Sequence, residues 1–173
     1  MIRHLPLHAG LWLFLCACVS SPVDEVSEPL RPLTESDLDF GVGTWTGALS
    51  YLDFTSGEAV AIPLDLEVSQ SGPCLTLSLD FPLEPGANSS EQRCISEEGF
   101  MFHGKPVVLS GNIGAAAFFE LEYEGQDNGL PVQKREVYQF SGASITIETA
   151  FRTSKDDAWT VRNTIDVERT AAE

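Results

Sequence analysis

From residue 40 onward the sequence alternates apolar and polar side chains with a period of two. Trp45, Leu49 and Tyr51 share one phase, opposed by Thr44, Thr46 and Ser50. Val60, Ile62, Leu64, Leu66 and Val68 alternate with Ala61, Pro63, Asp65, Glu67 and Ser69, and Leu75, Leu77, Leu79 and Phe81 with Thr76, Ser78 and Asp80. Phe119, Leu121 and Tyr123 interleave with Glu120, Glu122 and Glu124. The pattern returns at Ile145, Ile147 and Phe151, then at Trp159, Val161, Ile165 and Val167. Residues two apart lie on one face of a strand, so each run has one buried and one wet face, the mark of antiparallel sheet. Ser56-Gly57, Ser71-Gly72-Pro73, Pro82 through Asn88, Asp127-Asn128-Gly129 and Ser141-Gly142 punctuate the runs as turns. No window has a convincing helical period. The spacing predicts roughly eight to ten strands joined by short hairpins. Such a meander hides its edges by closing on itself, so the expected fold is an all-β, up-and-down antiparallel barrel over residues 40–170.

The N-terminus reads differently. Arg3, His4 and His8 precede the apolar run Leu11 to Ala17, with no acidic residue before Asp24. A spanning helix needs about 20 apolar residues, so this run fits a signal-peptide core. Leu15-Cys16-Ala17-Cys18 resembles the lipobox of bacterial lipoproteins. The resemblance implies cleavage after residue 17, acylation (palmitate among the chains) of Cys18 and a lipid anchor in the membrane. Val19 and Ser20 follow where an inner-membrane retention signal would place Asp, which implies the outer membrane, facing the periplasm. An ordinary cleaved signal, with Ala17 or a nearby Ser at the cleavage site, is the alternative. Residues 18–39 place Asp24, Glu25, Glu28, Glu35, Asp37 and Asp39 among Pro22, Pro29 and Pro32, with Arg31 as the only cation. That composition predicts an extended acidic tether.

Charge and cysteine content narrow the partners. The chain carries 26 acidic and 10 basic residues, a net charge of -16. An acidic chain without a basic patch excludes nucleic acid as an expected partner. Beyond the inner membrane, the two remaining cysteines, Cys74 and Cys94, are expected to form a disulfide.

Gly43-Thr44-Trp45, at the head of the first strand, resembles the Gly-x-Trp opening of lipocalins and their calycin relatives. The longer stretch Gly43 to Asp53 is similar to the opening of bacterial lipocalin-like proteins. In calycins this Trp closes one barrel end, beneath a basic residue from the last strand. The resemblance implies that role for Trp45, with Arg169 as its partner and Arg162 as second choice. The family's longer middle motifs are not evident, so no specific lipocalin chemistry carries over.

Catalytic raw material is sparse. His103 is the only histidine beyond the expected signal segment, and with Ser96 or Ser110 it is the only raw material for a nucleophile and base. No Gly-x-Ser-x-Gly elbow presents a nucleophile. Asp65 with Glu67, Glu120 with Glu122 and Glu124, and Asp166 with Glu168 share the polar phase and are expected in solvent. Asp127-Asn128-Gly129 matches no EF-hand spacing, and the glycines form no phosphate loop. No catalytic residue, metal or cofactor is expected. The expected function is an envelope lipoprotein whose barrel binds a small hydrophobic or amphipathic molecule. Its lining candidates are Tyr51, Phe119, Tyr123 and Phe151. The alternative is a filled barrel serving as a structural or protein-interaction module of the envelope.

Overall fold

A computed structural model describes residues 30–53 and 56–170. The expected signal segment 1–17, the expected lipid carrier Cys18 and the expected tether up to residue 29 lie outside the described residues. Ten strands follow in order: β1 (Gly43–Asp53), β2 (Glu58–Ser71), β3 (Cys74–Asp80), β4 (Ser89–Ser96), β5 (Met101–Phe102), β6 (Lys105–Ile113), β7 (Ala116–Asp127), β8 (Leu130–Ser141), β9 (Ser144–Arg152) and β10 (Thr160–Arg169). Each pairs antiparallel with its sequence neighbours, and β1 pairs with β10 to close the barrel. Trp45 faces Arg169 on one side and Leu66 on the other, which sets the closing register. Closure removes every free edge, as the meander pattern predicts.

Turn chemistry matches the hairpins. Asn128 and Gly129, at φ 48° and 79°, form the two-residue link between β7 and β8, and His103 with Gly104 (53° and 71°) links β5 to β6. Two successive left-handed residues match the twist of the flanking strands.

The core fills the half of the barrel that holds Trp45. Trp45, Leu64, Leu66, Val68, Leu75, Leu77, Phe102, Phe119, Leu121, Tyr138, Phe140, Ile145 and Val167 are all buried. Phe119 stacks on Tyr138 at 4.6 Å between centroids, and Phe102 meets both rings edge-on. Cys74 and Cys94 are register partners on β3 and β4 and form a disulfide. By the chain-entropy argument, a closed loop of this length stabilises the fold by about 3 kcal/mol.

Three expectations need correction. First, residues 30–39 are not tether. Leu33 and Leu38 are buried, and α1 (Glu35–Leu38) packs with them over the Trp45 end. Arg31 holds both carboxylate oxygens of buried Asp37 at 2.9 Å, and Asp37 also accepts from the Thr34 N–H and hydroxyl. Burial opposes the charge on Asp37, but these donors hold its pKa below the ordinary value. The acids in this stretch therefore conceal two core leucines and an internal ion pair. The segment is pinned by the Leu33 N–H on the Gly99 carbonyl and by the Ser110 hydroxyl on the Arg31 carbonyl. Second, the phase of β10 breaks between Val161 and Asn163. Val161 is consequently 44% exposed, and Trp159, read from the alternation as core, instead lies between the Arg135 and Arg152 guanidinium groups. Third, Phe119 does not line a cavity. It is fully buried inside the aromatic stack.

Candidate functional site

Strand parity puts Glu91 and Arg93 of β4, Lys105 of β6, Tyr123 of β7, and Lys134, Glu136 and Tyr138 of β8 on the inward phase. Arg93 is opposite inward Leu75, Lys105 is opposite inward Phe102, and Lys134 is opposite Tyr123. Above the aromatic stack, toward the end opposite Trp45 (the distal end), all of these except Lys134 form one hydrogen-bonded network.

Glu136 is its hub and is only 6% exposed. Its Oε1 accepts from Lys105 Nζ at 2.6 Å and from the Tyr123 hydroxyl at 2.5 Å. Its Oε2 accepts from the Tyr138 hydroxyl at 2.7 Å, and Arg93 lies 3.9 Å away. Lys105 also donates to the Tyr123 hydroxyl at 3.1 Å, and Arg93 donates to the Tyr138 hydroxyl. At the outer rim Arg93 pairs with Glu91 at 2.8 Å, and His103 contacts the other Glu91 oxygen at 2.9 Å.

Burial by itself would raise the Glu136 pKa, but donors from Lys105, Tyr123 and Tyr138 outweigh it and hold the carboxyl down to about 2. Burial raises Tyr123 and Tyr138, and their hydrogen bonds to Glu136 reinforce the shift, so both phenols stay protonated. An ionised carboxylate saturated with donors is a weak base, unsuited to proton abstraction near neutral pH. The network holds its opposite charges together inside the barrel.

The inner wall is divided. Opposite the polar network, inward residues Leu49, Ile62, Leu79 and Ile165 of β1, β2, β3 and β10 pack against the core yet remain half-buried. Phe151 and Lys134 are register partners at the distal end, both half-buried, and Tyr51 is 37% exposed. Of the four lining candidates, the structure brings Tyr123 and Phe151 to this region beside Lys134. Tyr51 lies on the far wall, and Phe119 lies below in the stack. A separate groove of about 430 Å³ runs along the outer wall past Thr44, Asp65, Glu67, Ser78, Asp80 and Thr170. Its acids are the solvent-phase carboxylates expected from the alternation.

Other sequence candidates fall into structural roles. Arg169 lies 4.1 Å from the Trp45 ring centroid, while Arg162 is 3.5 Å from Asp127. Trp45 is 1% exposed and donates its indole N–H to the Gly41 carbonyl at 3.0 Å. His103 is engaged with Glu91, and Ser110 with the N-terminal segment, so neither assembles a triad. Among the described residues no cluster of three or more metal-ligating side chains occurs. Glu136, Arg93 and Lys105 were not singled out by sequence. The available signal was a charged residue on the apolar phase of β8, readable only once Val132, Tyr138 and Phe140 are recognised as inward.

No protein-family model matches the chain, and no curated protein matches it. Among solved structures, the crystal structure of Rv2717c from M. tuberculosis aligns with a TM-score of 0.52 at 12% identity, covering 83% of this chain and 100% of that one. At that identity the likeness is one of fold, and it places the chain among small closed antiparallel β-barrels.

Proposed function

We propose that the mature protein is a lipid-anchored envelope barrel that binds a small amphipathic molecule in its distal half. The observation that carries this reading is the divided inner wall. A ligand with an apolar body and a polar end would cover half-buried Leu49, Ile62, Leu79 and Ile165 on one side. Its polar end would lie against the side that holds Lys105, Tyr123 and Glu136. Removing apolar surface from water favours such binding by about 25 cal/mol per Å², and a few placed polar groups orient the ligand. The lipobox-like Leu15 to Cys18 supports the envelope location. Native mass spectrometry of the protein extracted from its own membranes tests the binding reading. A co-purifying small amphiphile, lost on denaturation, is the expected result. Ligand-free protein whose melting temperature no added amphiphile raises would overturn it.

A second reading, a filled barrel that acts through its surface on envelope proteins, is favoured by the solid packing of Phe102, Phe119, Tyr138 and Phe140. The same measurement separates the two, since a filled module carries no small molecule.

A further inference from the structure

Among the described residues, the inward-facing cations of the β4, β6 and β8 walls differ in how their charge is matched. Arg93 is neutralised by Glu91 at 2.8 Å and Lys105 by Glu136 at 2.6 Å. Lys134, the next inward residue of β8 toward the β7–β8 turn, has no such partner. Among the described residues no carboxylate lies within ion-pair distance of it. Arg93 and Lys105 are thus each held by an acid of the inner wall, whereas Lys134 is held by none, in a chain of net charge -16.

Its neighbours suit a headgroup site. Tyr123 and Phe151 flank Lys134 as its direct register partners on β7 and β9. The lysine stem lies along Gly125, where a Cβ would stand 3.1 and 3.2 Å from its Cδ and Cε. A side chain at position 125 would therefore displace the stem, and glycine leaves it a bed against β7. Lysine stems cover apolar surface while the ammonium keeps its polar contacts, and the residues beside this one in register are both aromatic. An anion brought to this ammonium would escape the carboxylates that already occupy Arg93 and Lys105.

We infer that Lys134 is the headgroup anchor of the distal site, and that the ligand is an amphipathic anion with a carboxylate or phosphate end. The inference rests on the distal half being a ligand site at all. Its apolar body would run toward Leu49, Ile62 and Ile165. Tyr123, whose hydroxyl is committed to Glu136 and Lys105, would contribute its ring edge rather than a hydrogen bond.

The test compares octanoate, octyl phosphate and octanol by calorimetric titration into the full mature chain carrying Cys18→Ser, which removes only the acylation sulfur. Both anions are expected to bind at least about tenfold more tightly than the alcohol, the scale of a charge-assisted hydrogen bond. Lys134→Gln should abolish that preference while leaving octanol binding unchanged, and Lys134→Arg should retain it. If only one of the two anions shows the preference, that result identifies which headgroup the site accepts and supports the anchor. Equal binding of anions and alcohol by the unsubstituted protein, or a preference that survives Lys134→Gln, overturns the anchor and leaves the amphiphile reading standing. Absence of binding by all three overturns both.

Discussion

The guanidinium of Arg169 occupies the space that any side chain at position 43 would need: a Cβ on Gly43 would stand 2.4 Å from an Arg169 nitrogen. Gly43 also has φ +140°, a backbone conformation that L side chains rarely adopt. The glycine of the Gly-x-Trp opening is thus explained by the arginine that covers the tryptophan. Arg169 further donates to the Gly142 carbonyl at 2.8 Å and to the Val42 carbonyl, so one side chain ties the first strand to the last. Arg169→Ala should cost about 1–2 kcal/mol through the lost cation–π contact and hydrogen bonds. Gly43→Ala should cost more, because clash adds to strain. Urea unfolding of both single variants and the double variant should show the clash term of Gly43→Ala relieved when Arg169 is already absent.

Acid should destabilise the barrel through Glu136. Its folded pKa is about 2 against an ordinary 4.5, so the stabilisation it contributes is present above about pH 5 and lost as pH falls toward 2. The full swing corresponds to about 3 kcal/mol. Glu136→Gln should flatten this part of the pH–stability curve. At neutral pH the same variant should lose about 3 kcal/mol, since half-buried Lys105 would keep its charge without a partner. Chemical denaturation from pH 2 to 7 in both proteins measures the two effects.

Breaking the covalent link between β3 and β4 should lower stability by about 3 kcal/mol. Cys74→Ser with Cys94→Ser, and the unsubstituted protein in reductant, should give matching unfolding midpoints. An unchanged midpoint in both would contradict the disulfide's role.

The N-terminal segment should behave as part of the domain. Leu38 is 0% exposed, so Leu38→Ala should cost about 2–5 kcal/mol, as for other core leucines. A composition-based tether would predict no effect, and thermal unfolding separates the two.

Cys18→Ser should abolish palmitate labelling and release the protein from membranes. Labelling unchanged by the substitution would refute the lipoprotein reading.

How legible the fold was in the sequence depended on which residues faced inward. β2, β3, β7 and β9 carry long runs of apolar side chains on their inward phase, and alternation alone finds them. β4 and β8 do not, because Glu91 and Arg93, then Lys134 and Glu136, occupy positions where the pattern demands Leu or Val. Those departures are the candidate site itself, as expected where function overrides local consistency. The Cys74–Cys94 pairing was readable from compartment and register. The partnership of Arg169 with Trp45 could be anticipated only from the resemblance to calycins. Leu33 and Leu38 were missed because six acids and three prolines dominate the composition around them, and burial depends on where two leucines fall rather than on the average.

The plug over Trp45 also determines how the barrel can be held. Residues 30–33 run across the Trp45 end, and β10 finishes there as well, with the Thr170 N–H on the Thr44 carbonyl at 3.0 Å. Both ends of the described chain therefore leave from one pole. A bead or fusion partner joined at residue 30 or 170 meets the barrel at that pole, and the opposite one, with Lys134 at its edge, lies at the far end from the attachment.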